Sequence, residues 1–279
     1  MAEGCNHNCS SCGESCSERK EPESLLVDGN ALSKVKKIIA VMSGKGGVGK
    51  SFVTSLLAVL MQRKGMKTAV LDGDVTGPSI PRMLAPDGNV TANNMGMFPE
   101  ESETGIKVMS VNYLLESETT PVIWRGPIIS GVITQFWQDV VWGDVDVMFV
   151  DMPPGTGDVP LTVMQSLPVD GVIMVTSPQD LVEMIVEKAV NMTEDLKVPI
   201  LAMVENMSYF ECPDCGKRVN IFGESNIDEL AAKHNISNVV KIPIISKIAG
   251  DADRGMIEHT DITALDPIAD MIEEMINKD

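Results

Sequence analysis

The stretch Gly44-Lys45-Gly46-Gly47-Val48-Gly49-Lys50-Ser51 decides how this chain folds. Residues 36–42 before it read as a strand, and Phe52 after it opens a helical pattern. Strand, glycine-rich loop and helix in that order make a phosphate-binding loop. Its glycines let the backbone turn tightly and bring N–H groups toward phosphate oxygens. The helix N-terminus that follows favours an anion. Lys50 is placed to reach the β- and γ-phosphates, and the Ser51 hydroxyl to ligate Mg²⁺.

Outward from the loop, short apolar runs recur at 38–42, 69–71, 106–111, 145–150, 171–175, 200–204 and 239–242. Runs that are apolar throughout suit strands buried on both faces. Helical candidates lie between and after them, at 52–64, 128–141, 159–167, 181–196, 227–234 and 268–277. The alternation predicts βαβ units: an α/β fold with a mostly parallel, twisted sheet of about seven or eight strands and helices on both faces. Residues 1–30 differ, being rich in Cys, Ser, Gly, Glu and Asn. They cannot build a core, so a flexible cysteine-rich tail is expected there, with the nucleotide-binding domain over 31–279.

Charge and composition exclude some roles. Forty acidic residues against 22 basic ones give a net charge of −18 over 279 residues. That balance argues against binding nucleic acid or anionic membranes, both of which call for Lys and Arg. No apolar stretch approaches the roughly eighteen residues of a membrane span. The N-terminus lacks a basic stretch followed by an apolar run, so the expected location is cytoplasmic. Six cysteines in such a chain read as metal ligands or redox groups rather than disulfides. The 19 methionines read as core filler.

Lys45 is not required by an ordinary phosphate loop. With it, the loop resembles the deviant Walker A loop of the MinD/ParA/Mrp group of ATPases. The resemblance implies a homodimer in which Lys45 reaches the partner's nucleotide and stabilises phosphate charge. Two aspartates at strand ends fit the same site, because ligands bind at the carboxyl ends of strands in such sheets. Run 69–71 ends in Asp72-Gly73-Asp74, and run 145–150 in Asp151-Met152-Pro153-Pro154-Gly155-Thr156-Gly157-Asp158. The resemblance gives Asp74 the task of orienting the attacking water. Asp72 would support the magnesium shell. Asp151 is placed as the Walker B aspartate, holding Mg²⁺ through water. The resemblance also implies that Asn206, at the end of run 200–204, hydrogen-bonds the adenine, with Pro243 nearby.

Cys212-Pro213-Asp214-Cys215 supplies only half of a four-coordinate metal site. It reads as a redox pair, as half of a zinc site completed by a residue such as His234, or as a pair that meets its symmetry mate in a homodimer. The phosphate loop, Gly77-Pro78-Ser79-Ile80-Pro81, the Asp151–Asp158 segment, Val204-Glu205-Asn206-Met207-Ser208 and the CxxC together resemble the Mrp/Nbp35 family of iron–sulfur cluster carriers. That resemblance implies a transferable [4Fe–4S] cluster held by Cys212 and Cys215 of two subunits and passed to apo-proteins under control of ATP. In the tail, Cys5, Cys9, Cys12 and Cys16 could close round one metal centre. Their spacing approaches a ferredoxin run, and a [4Fe–4S] site is expected, with Zn²⁺ as the alternative. Two other ATPase types share such a loop. Charge and cysteine content speak against a positioning ATPase of the ParA/MinD type, and the adjacent CxxC against a nitrogenase-reductase-like electron carrier.

Overall fold

A computed structural model describes residues 25–74, 79–84, 90–114, 126–178 and 182–278. The tail cysteines Cys5, Cys9, Cys12 and Cys16 lie outside these residues, as do Gly77 and Pro78. The strands are β1 (Lys34–Ser43), β2 (Thr68–Asp72), β3 (Thr91–Asn93), β4 (Gly96–Phe98), β5 (Glu100–Glu101), β6 (Lys107–Ser110), β7 (Asp144–Asp151), β8 (Gly171–Thr176), β9 (Ile200–Glu205), β10 (Phe210–Glu211), β11 (Arg218–Val219) and β12 (Val239–Lys241). The helices are α1 (Lys50–Arg63), α2 (Ser79–Leu84), α3 (Gly126–Asp139), α4 (Asp158–Ser166), α5 (Val182–Asp195), α6 (Ile227–Lys233), α7 (Ser246–Asp253) and α8 (Asp266–Asn277).

Eight strands form one sheet in the order β12-β9-β8-β1-β7-β2-β6-β5. Its pairings are parallel except for the short edge strand β5, which runs antiparallel to β6. All seven apolar runs read from the sequence are strands of this sheet, and all six helical candidates are helices. Missed were α2 and α7, which are short, the edge strand β5, and the small hairpins β3–β4 and β10–β11, whose strands are too brief to show a period.

Successive side chains of a strand point to opposite faces. Ile39 and Val41 of β1 therefore pack with Val147 and Phe149 of β7 under α1, α2, α7 and α8. Ile38, Ala40 and Met42 pack with Met148 and Val150 under α3, α4, α5 and α6. Covering both faces is what makes the central strands apolar throughout. Among the described residues, no helix is long and apolar enough to cross a membrane.

Trp142 anchors the second face. It is fully buried, and its indole N–H donates to the Phe136 carbonyl at 3.1 Å. Trp142→Ala is expected to cost about 3–5 kcal/mol, the usual range for removing a large aromatic from a core. A chemical-denaturation midpoint compared with that of the unmodified chain checks this.

Candidate functional site

The phosphate loop follows β1 at the centre of the sheet and ends in α1, whose first residue is Lys50. Gly47 and Gly49 take φ of 78° and 81°, in the left-handed region that glycine enters freely. Gly49 is doubly constrained, because a Cβ there would fall 2.2 Å from the Asn206 Nδ2. No side chain caps α1 at Gly49, so the helix N-terminus is left open toward the cavity.

One carboxylate organises the loop. Asp151, at the end of β7, is fully buried. Lys50 Nζ and Ser51 Oγ donate to its Oδ2 at 2.7 and 2.6 Å, and Thr54 Oγ1 donates to its Oδ1 at 2.7 Å. Lys50 Nζ also lies 3.8 Å from an oxygen of Asp74. Thr54 was not anticipated from the sequence, although it lies one helical turn from Lys50 and so faces the same way.

Asp72 sits beside Asp151 in register across β2 and β7. Its oxygens accept the Ser110 hydroxyl at 2.8 Å and the Asp74 N–H at 3.1 Å. Burial, and next the charge of Asp151, push its carboxyl well above the usual carboxylate range. Asp72 is thus directed at the backbone of Asp74, and Asp74 itself faces the cavity. After Asp151 the chain turns back along the loop: the Gly155 N–H donates to the Ser43 carbonyl at 2.8 Å. Ser43 Oγ in turn donates to the Lys45 carbonyl at 3.0 Å. Lys45 is half-buried beside the cavity.

The cavity has a volume of about 870 Å³. Loop residues from Gly46 to Ser51 line one end of it. Pro243, Ile244, Ile245 and Ile248 line another part, giving an apolar wall that the strand-end reading had reduced to Pro243 alone. Arg82 of α2 also lines it, and was missed because α2 was too short to be seen in the sequence. Asn206 faces the cavity, and its carboxamide is engaged with backbone: Nδ2 donates to the Val48 carbonyl at 3.0 Å and Oδ1 accepts the Met207 N–H at 2.9 Å.

Cys212 and Cys215 occupy the tip of the β10–β11 hairpin, which pairs Phe210 with Val219 and Glu211 with Arg218. The turn closes with the Cys212 N–H on the Lys217 carbonyl at 3.0 Å and the Gly216 N–H on the Cys212 carbonyl at 2.8 Å. Both cysteines are free thiols, Cys215 exposed and Cys212 half-buried. The backbone N–H groups of Asp214 and Cys215 hold the Cys212 thiol below its ordinary range. Among the described residues, no three His, Cys, Asp or Glu side chains gather closely enough to hold a metal. His234, at the end of α6, therefore does not complete the pair within one chain.

Comparison with known proteins agrees with this geometry. The family described as "ParA: NUBPL iron-transfer P-loop NTPase" matches residues 34–278. The iron-sulfur cluster carrier protein of Methanococcus maripaludis is 44% identical over 263 residues, 92% of this chain and 91% of that protein. That of Clostridium perfringens is 39% identical over 279 residues, covering 93% and 97%. A solved nucleotide-binding protein from Archaeoglobus fulgidus, in complex with ADP, shares 44% identity and a TM-score of 0.74, covering 82% of this chain and 90% of its own. The cell division protein MinD of Aquifex aeolicus, at 15% identity and a TM-score of 0.56 over 86% of this chain and 97% of its own, shares the fold. With a phosphate loop at its centre and a match running from β1 to α8, the chain belongs to the ParA-type family of NUBPL iron-transfer P-loop NTPases.

Proposed function

We propose that this chain binds and hydrolyses ATP with Mg²⁺ and carries [4Fe–4S] clusters between synthesis and apo-protein acceptors in the cytoplasm. The observation that carries the reading is the free CxxC pair, presented at a hairpin tip in a chain built round a phosphate loop. Two thiols are half of what a cluster needs. A second copy related by two-fold symmetry supplies the other two, making the cluster a cargo that bridges a homodimer.

At the nucleotide, Lys50 and the loop N–H groups hold the β- and γ-phosphates. Pro243 and its apolar neighbours take the base, with Asn206 at their edge. Ser51 Oγ and Asp151 Oδ2 are hard oxygens 2.6 Å apart beside the loop, a donor set that fits Mg²⁺, which takes few protein ligands and keeps several waters. When bound, Mg²⁺ neutralises charge on the phosphate oxygens. Asp72 steadies the backbone of Asp74, and Asp74 orients the attacking water. Lys45, from the partner, offsets the charge that builds up during transfer. Because that lysine arrives only in the dimer, turnover is slow until two chains meet. The tail cysteines Cys5, Cys9, Cys12 and Cys16 hold a second cluster, with Zn²⁺ as the alternative occupant.

Anaerobic reconstitution, with iron and sulfide counted per dimer and transfer to an apo-enzyme followed, tests the carrier reading. The unmodified chain is expected to load and transfer. Cys212→Ala/Cys215→Ala is expected to lose transfer while the tail still binds iron. Equal transfer by the variant would remove the CxxC as the carrier site.

Lys45→Ala and Asp74→Asn are each expected to lower ATP turnover about a hundredfold or more, the scale for losing one group that acts on the transition state. Calorimetric ADP affinity should change little, because neither residue is needed to hold the diphosphate. Unchanged turnover in both would remove these assignments.

The thiolate is the reactive form of cysteine. A thiol held below its ordinary range keeps its thiolate at lower pH. As pH falls from about 9 to about 7, alkylation of Cys212 is therefore expected to slow less than that of N-acetylcysteine, whose thiol ionises near the free value. Peptide mass spectrometry reads the rate. A profile that tracks the free thiol would show that the Asp214 and Cys215 N–H groups do not act on Cys212.

A further inference from the structure

Between the phosphate loop and the thiol hairpin lies the turn that leaves β9, Glu205-Asn206-Met207-Ser208. Glu205 is 2% exposed and does not line the nucleotide cavity. Its Oε2 accepts the Ser208 hydroxyl at 2.5 Å, and its Oε1 accepts the Ser225 hydroxyl at 2.8 Å. Ser208 stands just before β10, and Ser225 stands beyond β11. One buried carboxylate therefore pins both ends of the segment that presents Cys212 and Cys215.

The adjoining residues face the nucleotide cavity. Asn206 Nδ2 donates to the Val48 carbonyl at 3.0 Å, inside the phosphate loop, and stands against Gly49. Met207 lines the cavity with φ of 57°, a conformation a non-glycine residue holds only when its surroundings impose it. The cavity wall is joined to the same segment by backbone bonds. The Ile242 N–H donates to the Glu205 carbonyl at 2.9 Å, the Ser208 N–H to the Ile242 carbonyl at 2.9 Å, and the Ile244 N–H to the Tyr209 carbonyl at 2.7 Å. At the far end, the Arg218 guanidinium lies 4.5 Å from the centre of the Tyr209 ring, tying the hairpin's return strand to its base.

We propose that Glu205 is a positioning residue that couples the nucleotide cavity to the thiol pair. A displacement of the phosphate loop or the Ile242–Ile244 wall on nucleotide binding moves the Glu205 clamp through Asn206 and the shared backbone bonds. The two serines carry that movement to both ends of the hairpin and change the exposure of Cys212 and Cys215. The consequence for cargo release rests on the carrier reading above. The movement itself is a property of the unloaded chain. Coupling between two binding sites is reciprocal, so cargo on the thiols alters nucleotide affinity by the same factor.

The test alkylates the unloaded full-length chain with iodoacetamide, with and without saturating ADP or ATP and Mg²⁺. Peptide mass spectrometry follows Cys212 and Cys215 separately from the tail cysteines. Nucleotide is expected to change their rate about fivefold or more in the unmodified chain, the lower end of ordinary coupling between sites. Ser225→Ala and Glu205→Gln are expected to bring that ratio close to one while still binding nucleotide, and Ser225→Thr to restore it. A role in packing alone would alter the rates equally with and without nucleotide and leave the ratio intact. Ser225 is half-buried, so its variant decides the question if Glu205→Gln does not fold. An unmodified chain with no nucleotide dependence, or variants that keep all of it, overturns the proposal. Failure to bind iron and sulfide with the ratio intact would remove the carrier reading and leave the coupling standing.

Discussion

The Asp151 carboxylate is the junction on which the site depends. It ends a fully buried stretch of the central strand β7, and it takes three donors from the first two turns of α1. A carboxylate withdrawn from water is costly unless its oxygens are satisfied. Here Lys50, Ser51 and Thr54 satisfy them, and in doing so they fix α1 against the sheet. The helix can then point its uncapped N-terminus at the cavity. Asp72, next to Asp151 in register, shows the effect of crowding two carboxyls: burial and its neighbour's charge drive it toward the protonated form. Asp72 also accepts the Asp74 N–H, which fixes the backbone of Asp74 at the cavity's edge.

Much of this was legible in the sequence because each signal is local. Residues 44–51 carry the loop's chemistry in one unbroken stretch, and the strands around it are apolar throughout because both of their faces are covered. Asp72, Asp74 and Asp151 could be placed because each stands where an apolar run stops. What was not legible depends on contacts between distant segments. Thr54 reads as one more residue of a helix until β7 brings Asp151 against it. Glu205 reads as the end of a strand, and nothing in its spacing reveals that Ser208 and Ser225 converge on it. Arg82 and the apolar wall at Ile244, Ile245 and Ile248 belong to short segments without a usable period.

The family match and the geometry answer different questions. The match spans β1 to α8 and fixes the lineage. The geometry says how two unlike chemistries share one chain. The glycine-rich loop and its buried lysine, Lys50, stand at the middle of the sheet. The thiols are held away from it, on a hairpin fed by β9, next to the sheet's edge strand β12. Hard oxygen donors and soft sulfur donors, which suit different metal ions, thus belong to different segments of the chain.

The hairpin that carries the thiols has little packing of its own. Its strands are two residues each, and Val219, Ile221 and Phe222 on and beyond its return strand lie 44%, 54% and 42% exposed. So short a ribbon has little stability of its own. Its shape is set at its root, where Glu205 takes the hydroxyls of Ser208 and Ser225. Like a spring clip fixed at its root, such a ribbon yields at the tip, where Cys212 and Cys215 stand, before the sheet behind it does.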